Sequence, residues 1–240
     1  MDGSFVNAIR DMVRPETFEV EGVVFDSAKR TPLPMPGAAA LVTTTLASMR
    51  DYMDGNLDDL DPNDVVAHIV DPNLVQLRSK LDEKYRQRES YVHAKASGGR
   101  FEFGQFMEVE EFIIKLQGLF LEGGDRETIL KVVGNLSDGV IRNIDDDGVT
   151  QTVNTKVGVT QRAEAKIPNP VILTPFRTFP DVEQPSSKFI FRMSNSSRRG
   201  EETPSCALFE ADNGAWRAVA LSNIKEWLRK NLPTGVTILS

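Results

Sequence analysis

Apolar residues recur at helical spacing through much of the first half of the chain and alternate with polar residues through much of the second, the change falling near Gly139. A stripe every three to four residues turns one helix face inward, whereas alternation turns one sheet face inward. Phe5, Ile9, Met12 and Val13 share one face of a short helix that Pro15 ends, because the residue before a proline avoids the helical region. Phe18 to Phe25 partly alternates and predicts a strand. The proline-rich loop from Thr31 to Gly37 then separates a segment at 1–36 from a main domain at 37–240.

Leu41, Leu46, Met49 and Met53 predict a helix over Ala38 to Met53, with Gly55 just past its end and the β-branched Thr43, Thr44 and Thr45 weakening it. Val65 to Val70 and Leu74 to Leu81 read as strands paired across the turn Asp71-Pro72-Asn73, and Tyr85 to Ala96 as another strand. Phe106 to Leu121 carries a helical stripe, with Glu108, Glu110 and Glu111 early in it, where the helix dipole favours negative charge. Gly123-Gly124 stops that helix, and Asp125 is placed to cap another running through Ile129, Val132, Val133 and Leu136.

Beyond Gly139, Val140 to Ile144 and Val149 to Val153 flank Asp145-Asp146-Asp147-Gly148, whose Asp-Gly pair suits a hairpin. Further strands are predicted at Ala163 to Lys166, Val171 to Thr174, Phe189 to Met193, Ser205 to Glu210 and Trp216 to Ala220. A helix at Leu221 to Leu232, capped by Ser222, and an edge strand within Gly235 to Ser240 complete the chain. The predicted class is α+β, a largely antiparallel sheet in the C-terminal half packed against the helices at Phe106 to Leu121 and Leu221 to Leu232.

Composition narrows the function. Hydrophobic residues at 40% and charged residues at 26% match an ordinary globular domain. A net charge of −7 argues against duplex DNA as a partner, since a duplex binder needs a basic stripe. The local basic group Lys188, Arg192, Arg198 and Arg199 reads as a solvated loop. The single cysteine, Cys206, lies in an apolar run and reads as a buried structural thiol, which suits a reducing compartment. Met1 to Val13 lacks the pattern of a signal peptide, and no run approaches the roughly 18 apolar residues that cross a bilayer. A cytoplasmic protein with no membrane partner is expected.

Catalytic signatures are missing. The histidines, His68 and His93, have no cysteine partner for zinc, and the chain has no nucleophile elbow, no phosphate-binding loop and no paired-histidine helix. Asp145, Asp146 and Asp147 lack calcium-loop spacing and read as a turn. No catalytic residue, metal or cofactor is assigned, and an enzyme is unsupported. The densest unusual stretch runs from Asn169-Pro170 through Thr174-Pro175-Phe176-Arg177-Thr178-Phe179-Pro180 and on to Gln184-Pro185. Prolines hold Arg177 between two rings there, so it can fork a phosphate or carboxylate with Phe176 or Phe179 as a stacking surface; the plainer reading is an arginine bracing a sheet corner. Arg192 is a second candidate cation. Asp212 and Trp216, flanking the turn at Asn213-Gly214, are candidates for an acceptor and an aromatic platform, though turn chemistry alone accounts for that segment.

Phe101-Glu102-Phe103-Gly104-Gln105-Phe106, the helix after it, and the β-rich half through Cys206-Ala207-Leu208-Phe209-Glu210-Ala211-Asp212 resemble the YfdQ-like proteins of phages and prophages, over roughly Ala38 to Leu232. The resemblance implies a viral origin and action inside a bacterial host, and it implies no reaction. The first 36 residues depart from it. Together these features suggest a non-catalytic, phage-encoded protein that sequesters a small nucleotide immune signal, with assembly as a homo-oligomer expected. An accessory protein of phage DNA replication or recombination, binding a protein partner or single-stranded nucleic acid, is the alternative; a cryptic enzyme comes last.

Overall fold

The computed structural model describes residues 17–26, 31–32, 37–137, 140–146, 151–157, 161–167, 169–198 and 201–240. The helix expected at Phe5 to Val13, the prolines at 34 and 36, the turn at 147–150 and Arg199 lie outside these residues. The chain is α+β and its sheets are mostly antiparallel.

The segment expected as one strand at Phe18 to Phe25 is a hairpin, β1 (Thr17–Val20) against β2 (Val23–Asp26), with β3 (Thr31–Pro32) beside β2. Glu21 and Gly22 both adopt positive φ, 51° and 75°, the turn geometry whose twist matches that of the flanking strands.

A five-stranded sheet in the order β15-β5-β6-β7-β4 organises one half of the molecule. Its centre is the expected hairpin, β5 (Val65–Asp71) and β6 (Leu74–Ser79), followed by β7 (Ser90–Lys95). The edges are β4 (Leu41–Thr43) and β15 (Thr237–Leu239), both pairing in parallel. The helix expected from Ala38 therefore starts late. Leu41, Val42 and Thr43 enter the sheet, Thr44 and Thr45 bend away from it, and α1 occupies only Ala47–Asp54.

The second half is built on a four-stranded sheet, β12 (Val171–Leu173), β13 (Ser187–Arg198), β14 (Glu201–Glu210) and the two-residue β8 (Met107–Glu108). On it pack α2 (Val109–Leu119) and α3 (Arg126–Ser137), burying Phe112, Leu116, Ile129 and Val133 against Phe189, Phe191 and Leu208. Cys206 is fully buried in this core, and burial pushes its thiol pKa up to about 12. The expected hairpin of β9 (Val140–Asp146) and β10 (Gln151–Val157) is present, extended by β11 (Gln161–Ile167) as a separate antiparallel sheet.

Two expectations for the C-terminal region are corrected. Trp216 to Ala220 is no strand: it opens α4 (Trp216–Asn231), and the turn at Asn213-Gly214 leads from strand into helix. Trp216, Ala220, Ile224 and Leu228 are the buried positions, spaced by four, a helical signal that outweighs the apolar look of the first five residues. Nor does this helix cover the C-terminal sheet. Ile224 and Leu228 join Leu46, Met49, Val65, Ala67 and Leu77 in the core of the five-stranded sheet, where β15 also returns.

Candidate functional site

The two cores are joined by the connection from β12 to β13, residues 174–186. Pro175 bridges to Phe120 at the edge of the four-stranded sheet. Four residues later Phe179, fully buried, is planted in the other core. Gln184 ties the loop internally. Its side-chain carbonyl accepts from the backbone N–H groups of Arg177 and Thr178 at 2.9 and 3.2 Å, and its amide donates to the carbonyls of Phe179 and Val182. Thr178 donates its hydroxyl to the Pro72 carbonyl in the β5–β6 turn. The Asp181 carboxylate accepts from Leu46 N and Ala47 N at 3.0 and 3.2 Å, supplying from afar the cap that α1 lacks locally. The loop is a strap between the cores.

Arg177 lies where the strap leaves the four-stranded sheet. Its side chain is only 6% exposed. Its guanidinium carbon sits 5.1, 5.0 and 4.7 Å from the ring centres of Phe103, Phe189 and Trp216, within cation–π range of all three. Nη1 donates to Glu210 Oε1 at 2.9 Å. Nε and Nη2 are buried and have no hydrogen-bond partner, and neither has the indole Nε1 of Trp216. Burial lowers the Arg177 pKa to about 10, Glu210 and Asp212 acting against the shift and Arg217 with it. The guanidinium stays charged at neutral pH.

A cleft of about 710 Å³ opens beside this group. Its walls come from both halves: the β5–β6 turn at Asp71, Pro72 and Asn73 and the chain from Ala96 to Arg100 on one side, Phe101, Phe103, Leu119, Pro175 to Thr178, Glu210, Trp216 and Arg217 on the other. Three arginines, Arg100, Arg177 and Arg217, and two carboxylates, Asp71 and Glu210, are among its lining residues. Phe176 is 43% exposed on this wall. Arg217 lies 5.0 Å from the centre of the Trp216 ring that Arg177 also covers.

Of the residues singled out from sequence, Phe176, Arg177 and Trp216 meet at the cleft. Phe179 does not, because the strap turns between Phe176 and Phe179 and buries the latter in the other core. Arg192 does not either. It follows Phe191 on β13, and strand alternation sends it to the face away from Phe189 and Phe191, with Nη1 donating to the Phe191 carbonyl. Asp212 stands just behind the cleft, accepting from Gly214 N at 3.0 Å. Burial raises its pKa, but the Ser187 hydroxyl it faces, the N–H groups of Gly214 and Trp216 and the charge of Arg177 outweigh burial and hold it below the usual carboxylate range. Trp216 is 7% exposed with two guanidinium groups over its ring, so it offers no open platform.

Residues that the sequence reading passed over are Phe103, Glu210, Arg100 and Arg217. The first two lie far from Arg177 along the chain, and no local pattern marks them. Arg217 was legible once Trp216 is placed at a helix start. The histidines sit half-buried on the five-stranded sheet, His68 and His93 each paired to Gln76 on β6; burial lowers the His93 pKa, aided by Lys95 and Arg78. A second hollow of about 620 Å³, lined by Glu102, Phe106, Glu108, Glu111 and Lys115, is internally paired, Lys115 bridging Glu102 and Glu111 at 2.6 and 2.7 Å. Among the described residues no helix is long and apolar enough to cross a membrane, and no group of three or more His, Cys, Asp or Glu side chains is placed to hold a metal ion. No protein-family model, curated protein or solved structure matches the chain.

Proposed function

We propose that this is a non-catalytic binding protein that takes a small anionic ligand, a nucleotide, into the cleft beside Arg177. One observation carries the reading: the side-on edge of a buried guanidinium, Nε with Nη2, has no hydrogen-bond partner in the protein. Such an edge can hold two oxygens of a phosphate or carboxylate at once, and a buried donor without a partner costs about 1–3 kcal/mol, which a bound anion would offset. Sequestration of a small nucleotide immune signal by a phage protein in the bacterial cytoplasm fits such a site.

The test is to purify the protein from expressing cells, denature it, and identify by mass spectrometry any small molecule released. A phosphorylated compound recovered from the wild type and lost from Arg177→Ala supports the reading. If the same compound is recovered equally from both, the cleft is not its site.

A further inference from the structure

The arrangement around Trp216 also decides which end of a nucleotide enters, an inference that rests on the cleft being the binding site. Two residues that line the cleft carry buried donors with no hydrogen-bond partner in the protein: Nε and Nη2 of Arg177 and Nε1 of Trp216. The ring that could have stacked a base there is taken, with Arg177 and Arg217 both over the indole at 4.7 and 5.0 Å and 7% of the residue exposed. Phe103 and Phe189 are likewise engaged, stacked on each other at 5.0 Å and covered by Arg177. The one aromatic ring on the wall with a substantial open surface is Phe176, at 43% exposure. The buried donors suit oxygen, and the exposed Phe176 ring suits a flat group.

We infer that the cleft recognises a phosphoryl group, held inward by the side-on edge of Arg177 and the indole N–H of Trp216, with the nucleoside outward against Phe176. A tetrahedral oxyanion presents a third oxygen to the indole after two have met the guanidinium, which a planar carboxylate does not. Arg217 is exposed and covers the same indole, adding a charge that Glu210, committed to Arg177, does not cancel. Phe176 presents only a ring face, and stacking on a ring is tolerant of base identity. The site is selective for phosphate and nearly indifferent to the base.

Titration calorimetry on the full chain tests this with five probes: AMP, CMP, adenosine, inorganic phosphate and succinate. AMP and CMP should bind within about threefold of each other, phosphate should compete with both, and adenosine should show no binding. Arg177→Ala should weaken AMP by about 10- to 100-fold, and Trp216→Phe, which keeps a ring but removes the N–H, by about 2- to 10-fold at an unchanged thermal midpoint. Should Arg177→Ala fail to fold, Trp216→Phe decides alone, and unaltered AMP affinity in it overturns the inference. Adenosine binding as tightly as AMP would put the base inward, and succinate competing as well as phosphate would remove the preference for a phosphoryl group; either leaves the anion cleft standing. Binding of none of the five overturns the cleft itself.

Discussion

Phe176 and Phe179 stand three residues apart on one strap and end in opposite circumstances. Around Phe179 every neighbour is apolar or fully bonded: the four hydrogen bonds of Gln184 consume the backbone groups nearby, and Ile224, Leu228 and Leu46 close the core. Around Arg177 a charge is buried in a box of aromatic rings with one carboxylate partner and two nitrogens that have no hydrogen-bond partner in the protein. The first arrangement is what packing for stability produces. The second forgoes stability, since removing a charge from water is costly unless it is fully paired, and such places are where binding chemistry is found.

The largest expected effect tests the quiet half. Phe179→Ala should destabilise by about 3–5 kcal/mol by denaturant unfolding, as for other fully buried phenylalanines, while Phe176→Ala should change stability by no more than about 0.5 kcal/mol and weaken nucleotide binding. Equal losses in the two variants would erase the contrast. Gln184→Ala should cost about 1–3 kcal/mol, because it strands the backbone groups of Arg177, Thr178 and Phe179 away from water. Its crystal or NMR structure should show the strap displaced at Arg177.

Smaller is the effect of Asp181→Ala, which uncaps α1 and should lower stability by about 1 kcal/mol, with amide exchange fastest at Leu46 and Ala47. The last prediction concerns acid. Asp212 has a folded pKa below its ordinary value, so its contribution is present above the ordinary carboxylate range and is lost as pH falls through the folded value. Thermal midpoints of the wild type and Asp212→Asn should therefore differ near neutrality and converge as pH drops from about 4 downward. A gap that stays constant across that range would show that Asp212 acts only through shape.

Local pattern was sufficient for much of the fold. The β5–β6 and β9–β10 hairpins, α2, α3 and the strands from Val171 to Glu210 follow from periodicity and turn chemistry that act within a dozen residues. The same applies to Cys206, whose apolar flanks announce burial. Where local signals conflicted, the reading failed: Leu41 to Thr43 form a strand within the predicted helix, and the first turn of α4 passed for a strand because Trp216 and Val219 favour sheets taken singly, while the four-residue spacing of Trp216, Ala220, Ile224 and Leu228 is visible only over the whole helix.

What the sequence by itself determined was that Arg177 stands between two phenylalanines on a proline-stiffened segment, because these are properties of neighbours in the chain. Which rings surround the guanidinium, only tertiary structure decided. Phe103, Phe189 and Trp216 reach the guanidinium from a loop, a strand and a helix, and Phe179, its near neighbour in sequence, is carried into the other core. The physical reason is that a strap crossing between two cores must bury apolar surface in both. Each side chain's surroundings then depend on which core it reaches, and sequence separation carries no information about that.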